Sequence, residues 1–289
     1  MADARIVDRG YRPYDGVRLG RAGAIRSLAR HSMTRALGLR RTAWAKLLPI
    51  ASVLIAYLPA AVFVGIAALL PDQIRRQNDI IPSYSEYYSF ITAAIVLFVA
   101  IVGPEVLCSD RRNGMLGLYL ASPLDRTTYL LAKVLAVLPV LGFVTLGPPI
   151  VQLVGMTLAD AGPGSAGDFA LVLVRIVVAA VVVSVAYTAL SLAAASLTER
   201  RAFASAGIIL LLFATSITTT QFVEVSGANA HLLLLNLFFL PFELVARVYG
   251  EAGSYPEIAT ATLAAAEVAW VALGAAVVWL RYRRLTVTR

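Results

Sequence analysis

Residues 105–133 read EVLCSDRRNGMLGLYLASPLDRTTYLLAK. This dense run of charge, glycine and proline sits between two apolar stretches, each long enough to cross a bilayer. The chain around it is 59% hydrophobic with a mean hydropathy of +0.78, well above the roughly half-apolar composition of soluble domains. Within the punctuation, Met115, Leu116, Leu118, Tyr119 and Leu120 form a short segment that is apolar nearly all round. At helical spacing Met115, Leu118 and Tyr119 share one face, and Leu116 and Leu120 another. Such a helix needs cover on more than one side, and the bilayer supplies only one. The other is a partner that receives the helix in a groove, or the chain's own bundle. Pro123 stops the helix, and Ser109 or Asp110 is placed to cap its start, with Asp110 suited to the positive end of the dipole. Gly103 and Pro104 end or kink the apolar stretch before it.

Working outward, six apolar runs of about 20 to 29 residues read as transmembrane helices across a core of about 30 Å. They cover residues 47–70, 87–107, 134–158, 169–197, 202–222 and 258–280. The fold class is therefore an all-α polytopic membrane protein. Of the 25 Lys and Arg residues, 21 fall in the amino-terminal segment, in residues 105–133, in the turn LTERRA and in the tail RYRRLTVTR. The positive-inside rule places all four of these in the cytoplasm, together with both termini. The formal charge of +8 is thereby assigned to cytoplasmic loops and lipid headgroups, and nucleic acid is not expected as a partner.

Two segments flank this frame. GAIRSLARHSMTRALGLRRTAWAK, in the basic segment 1–46, has the spacing of an amphipathic interfacial helix. It sets Arg30, Arg35, Arg40 and Arg41 toward anionic headgroups and places Trp44 at the membrane interface; a disordered basic tail is the alternative. Residues 47–281 make the six-span domain, with 105–133 as its cytoplasmic loop and 282–289 as the tail. Within 223–257, HLLLLNLFFLPFELVARVYG is broken by Asn236 and Pro241, so a short helical pair re-entering the outer leaflet is expected. A seventh span is the rival, and it would put Arg281, Arg283 and Arg284 outside.

Several chemistries are missing. Cys108 is the single cysteine and His31 and His231 are the only histidines, which leaves no disulfide and no expected metal site. The two lysines, Lys46 and Lys133, follow no glycine pattern of a phosphate-binding loop, and neither HExxH nor GxSxG occurs. Ser165 in GPGSAG has no histidine partner near it. No catalytic residue is expected in this chain. Two charges fall within spans: Glu267 near the middle of the sixth, and Arg175 about two turns in from the outer end of the fourth. They meet, line a conduit, or serve structure alone, with Arg175 snorkelling outward. Pro139, Pro148 and Pro149 bend the third span, either lining a cavity or as tolerated kinks.

The stretch DRRNGMLGLYLASPLDRTTYLLAK resembles the first cytoplasmic loop of the type-2 ATP-binding-cassette (ABC) transporter permeases. Gly114, Leu116, Leu118, Leu120, Pro123, Leu130, Leu131 and Lys133 stand at the matching offsets. Met115 replaces a usual Thr, Ala132 a usual Gly, and Asn113 a usual acid. The amphipathic entry helix, the six spans and the broken segment before the last agree in outline. This resemblance implies the membrane subunit of an ATP-driven exporter in the bacterial cytoplasmic membrane. It would pair with a second permease, identical or homologous, and with two copies of a cytosolic ATPase that carries the ATP and Mg. A coupling helix would dock on that ATPase through Asp110, Gly114, Met115, Leu116, Leu118, Tyr119, Leu120 and Pro123. The residues alone leave two alternatives. An ion-driven secondary transporter would ordinarily show internal repeats and midplane carboxylates, of which only Glu267 is present. A scaffold subunit that transports nothing is the other.

Overall fold

The computed structural model describes residues 16, 19–39, 43–70 and 81–285, without the side chains of residues 43–45 and 48. Arg40, Arg41 and the side chain of Trp44, expected at the headgroups, lie outside the described residues. The helices are α1 (Gly20–Ala36), α2 (Ala43–Leu69), α3 (Tyr87–Arg112), α4 (Met115–Leu120), α5 (Arg126–Leu158) and α6 (Ala166–Leu197). Then come α7 (Arg201–Thr220), extended by a π-helical turn at Gln221–Val225, a 3-10 turn at Ala230–Leu235, α8 (Leu240–Tyr249) and α9 (Thr260–Arg284). Six of them, α2, α3, α5, α6, α7 and α9, are long and apolar enough to cross a membrane. The described residues contain no strand, and the protein is an all-α multi-pass membrane protein.

Burial identifies the central helix. In α3, 72% of the apolar window is buried, against 22% in α2, α7 and α9. It packs on α2, α5, α6 and α7, while α9 lies against α6 and α8. Small residues allow the closest crossings, as expected where backbones must approach without a solvent-driven force. A side chain at Gly103 of α3 would collide with Ser191 of α6, and one at Gly274 of α9 would press on the backbone of Ala189 in α6. The Ser191 hydroxyl donates to the Val99 carbonyl at 2.7 Å across the first of these crossings. Successive long helices alternate in direction. This gathers α4, the α6–α7 turn and the carboxyl end of α9 at one end of the bundle, here called the basic end.

The boundaries depart from expectation at the stretch quoted first. Helix α3 runs through Gly103 and Pro104 and past Leu107 to Arg112, and α5 begins at Arg126, well before Val134. The polar residues beyond Leu107 stay helical because the bundle gives them partners. Arg111, for example, donates to the Ser196 carbonyl at 2.6 Å and pairs with Glu199 at 3.2 Å. At the start of α5, Asp125 accepts from the Thr128 amide while Thr128 Oγ1 accepts from the Asp125 amide, closing a capping box.

The break before the last span has a local cause. The Asn236 side chain accepts from the amides of Phe238 at 3.1 Å and Phe239 at 2.9 Å, which turns the chain just before α8. Pro241 then sits in the first turn of α8, where its missing N–H costs nothing. Gly250, at φ 84°, closes the helix. Ten residues of α-helix rise about 15 Å, half of a hydrocarbon core, so α8 is not a seventh span.

Candidate functional site

A buried charge cluster sits at the basic end. Asp110, in the last turns of α3, has no exposed side-chain surface. Its Oδ1 lies 2.7 Å from Arg35 Nη2 of α1, and its Oδ2 lies 2.5 Å from Lys133 Nζ of α5. The Tyr129 hydroxyl donates to the same Oδ2 at 3.0 Å, and Lys133 donates to Ser32 Oγ of α1 at 2.8 Å. Lys133 Nζ also stands 5.1 Å from the centroid of the Tyr129 ring and 5.5 Å from that of Tyr119. One turn earlier on α3, Glu105 pairs with Arg201 at the start of α7, and Arg35 Nη2 donates to the carbonyls of Glu105 and Val106 at 3.1 Å. Burying charge is costly unless each group is matched, and here the matching ties α1, α3, α5 and α7 together.

Helix α4 rests on this cluster. Gly114, at φ 62°, occupies the left-handed region that favours glycine and reverses the chain out of α3. Leu116 and Tyr119 then pack inward, with the Tyr119 ring 5.9 Å from that of Tyr129. Burial, followed by the nearby Asp110 carboxylate, holds the Tyr119 hydroxyl above its usual pKa. Leu118 points away from the bundle and is 65% exposed. The short helix is therefore fixed on one side and open on the other.

The second feature is a groove of about 740 Å³ between α6, α7 and α9. It runs from Thr198 and Phe203 at the basic end to Glu267, Trp270 and Pro241 deeper in the bundle, and its walls are almost wholly apolar. Glu267 is 8% exposed, and its Oε1 is buried without a hydrogen-bond partner.

The family model described as ABC-2 family transporter protein matches residues 67–280, most of the chain and all of α3 to α8. The chain belongs to this family. As an ABC-2 permease it is the membrane subunit of an ABC transporter and associates with an ABC ATPase partner. None of the curated proteins matches the chain.

Against the sequence, the ABC-2 permease structure corrects four assignments. Asp110 does not cap α4: it lies inside α3, and Gly114 takes the N-cap position with no side-chain bond. Tyr119 does not share a face with Leu118, because Lys133 and Tyr129 draw its ring inward. Arg35 turns into the bundle, its side chain 15% exposed, whereas Arg30 stays exposed. Arg175 and Glu267 form no ion pair: Arg175 lies beside Gly250, and Glu267 faces the groove. Of the other candidates, Met115 and Leu120 are half-buried, Pro123 is exposed, and Pro148 and Pro149 are buried in α5 without lining the groove. Sequence reasoning missed Lys133, Tyr129, Ser32, Glu105 and Arg201 as one cluster. The available signal was Lys133 itself, a charge followed by an apolar run, which demands a partner.

Proposed function

We propose that this permease couples ATP hydrolysis in a separate cytosolic ATPase to export of a substrate across the bacterial plasma membrane. Its basic end and both termini face the cytoplasm, α1 lies along the headgroups, and the segment around α8 dips into the outer leaflet. Two ATPase copies carry the ATP and Mg, and a second permease, identical or homologous, completes the path. The observation that carries this reading is the split character of α4. Leu118 offers an uncovered anchor at the basic end, while Tyr119 and Leu116 join the helix to the cluster linking α1, α3, α5 and α7. Closure of the ATPase pair would push on Leu118 and move those helices as a body. A membrane scaffold would have no need of that linkage.

The test is Leu118→Asp in the full chain, purified in mild detergent with its native partners. Loss of the copurifying ATPase and of transport, with unchanged thermal stability, is the expected result. Retention of both the complex and transport would overturn the docking role.

A further inference from the structure

The carboxylate at Glu267 is out of keeping with its surroundings. It lies seven residues into α9, about 10 Å along the helix from Thr260, in a groove where no Lys, Arg or His among the described residues forms part of the wall. Two side-chain donors that line the groove with it are already committed. The Tyr187 hydroxyl donates to the Phe238 carbonyl at 3.3 Å, and the Trp270 indole donates to the Leu234 carbonyl at 2.9 Å. A carboxyl group buried in apolar surroundings without a partner is costly, and inside a membrane such a group ordinarily faces a partner or a pathway. The described residues supply no partner for Oε1.

The groove has the dimensions and chemistry of a small-molecule site. Its volume of about 740 Å³ falls within the range of roughly 300–1,000 Å³ typical of ligand pockets, which are mostly apolar with a few polar groups that orient the ligand. Trp270, three residues from Glu267 on α9, adds a half-buried aromatic ring suited to a delocalised cation. Gly207 on α7 leaves open space where a side chain would project. We infer that this groove binds an amphipathic organic cation, its apolar body along α6, α7 and α9 and its N–H group donating to Glu267. The inference rests on reading the chain as a transport subunit and names the class of substrate that subunit accepts.

The test uses the full chain, with whatever ATPase copurifies, in phosphatidylcholine nanodiscs. Rhodamine 6G, a cation bearing N–H groups, and Nile red, a smaller neutral dye with no N–H group, are titrated by fluorescence anisotropy against empty discs. Saturable binding of rhodamine 6G is expected. Glu267→Gln keeps the shape but removes the charge, and should weaken rhodamine 6G by about tenfold or more, the value of one hydrogen bond to a charged group. Nile red should change by less than about twofold, because it carries neither a charge nor an N–H for Glu267 to engage. Gly207→Leu, which fills the groove from another helix, should weaken both dyes. Equal rhodamine 6G binding by wild type and Glu267→Gln, no saturable binding at all, or unchanged binding in Gly207→Leu would each overturn the inference. Because ATPase copurification is scored separately, a failed titration beside an intact complex defeats this inference alone. Cation binding without any ATPase defeats the coupling reading instead.

Discussion

Lys133 Nζ lies 2.5 Å from Asp110 Oδ2, and neither side chain has any exposed surface. Two helices that enter the basic end from opposite sides of α4 are thus joined by an ion pair that also receives Arg35 from α1. Taking one partner away leaves a buried, uncompensated charge, which costs far more than the pair itself contributes. Asp110→Ala is therefore expected to destabilise the protein by about 3–5 kcal/mol. The double variant Asp110→Leu with Lys133→Met, which removes both charges, should recover most of that loss. Thermal unfolding in detergent distinguishes the two, and equal destabilisation by single and double variants would show that the unmatched charge is not what destabilises the single variant.

Leu118 and Tyr119 are neighbours in sequence with opposite fates, and their variants should separate accordingly. Leu118 is largely exposed, so Leu118→Asp should leave the melting temperature unchanged while abolishing ATPase association. Tyr119 contributes packing against Tyr129 and Lys133, so Tyr119→Ala should cost about 1–2 kcal/mol of stability through lost aromatic burial. Measuring copurification and melting together on both variants checks the division. Two variants that behave alike would contradict it.

The contact between Gly103 and Ser191 sets how closely α3 approaches α6. An added methyl group at 103 meets both the side chain and the backbone of Ser191, so Gly103→Ala should destabilise by about 1–3 kcal/mol. Gly142 on α5 is the matched control, because a side chain there meets open space. Gly142→Ala should be neutral or stabilising by up to about 1 kcal/mol, the helix-propensity gain over glycine. Unfolding of the two variants under identical conditions gives the comparison.

Asp125 starts α5 through its capping box with Thr128 and also pairs with Arg21 of α1. Asp125→Ala should cost about 1 kcal/mol through the lost cap, with the exposed ion pair adding little. The loss should be local. Hydrogen exchange is expected to quicken at the first turn of α5 and not at its centre, and uniform quickening along the helix would contradict a capping effect.

The apolar runs and the break at Asn236 and Pro241 were legible in the sequence. Each depends on hydrophobic period or on the backbone chemistry of a single residue, which act locally. Residue spacing also placed α4 between the second and third spans. What spacing does not contain is which side of α4 the bundle would cover, and it grouped Tyr119 with Leu118, from which the bundle separates it. The same limit applies to the charges. Asp110 reads in sequence as a cap for the next helix, yet it bonds to Arg35 at a separation of 75 residues. Arg175 and Glu267 are opposite in charge and alike in expected depth, yet they remain apart while Glu267 faces an apolar groove. An ionisable group inside a bundle takes whichever partner the helix crossings bring within a few ångströms. Those crossings are set by small residues such as Gly103 and Gly274 meeting helices that lie far away along the chain, so only the folded arrangement decides which charges are matched and which is left over.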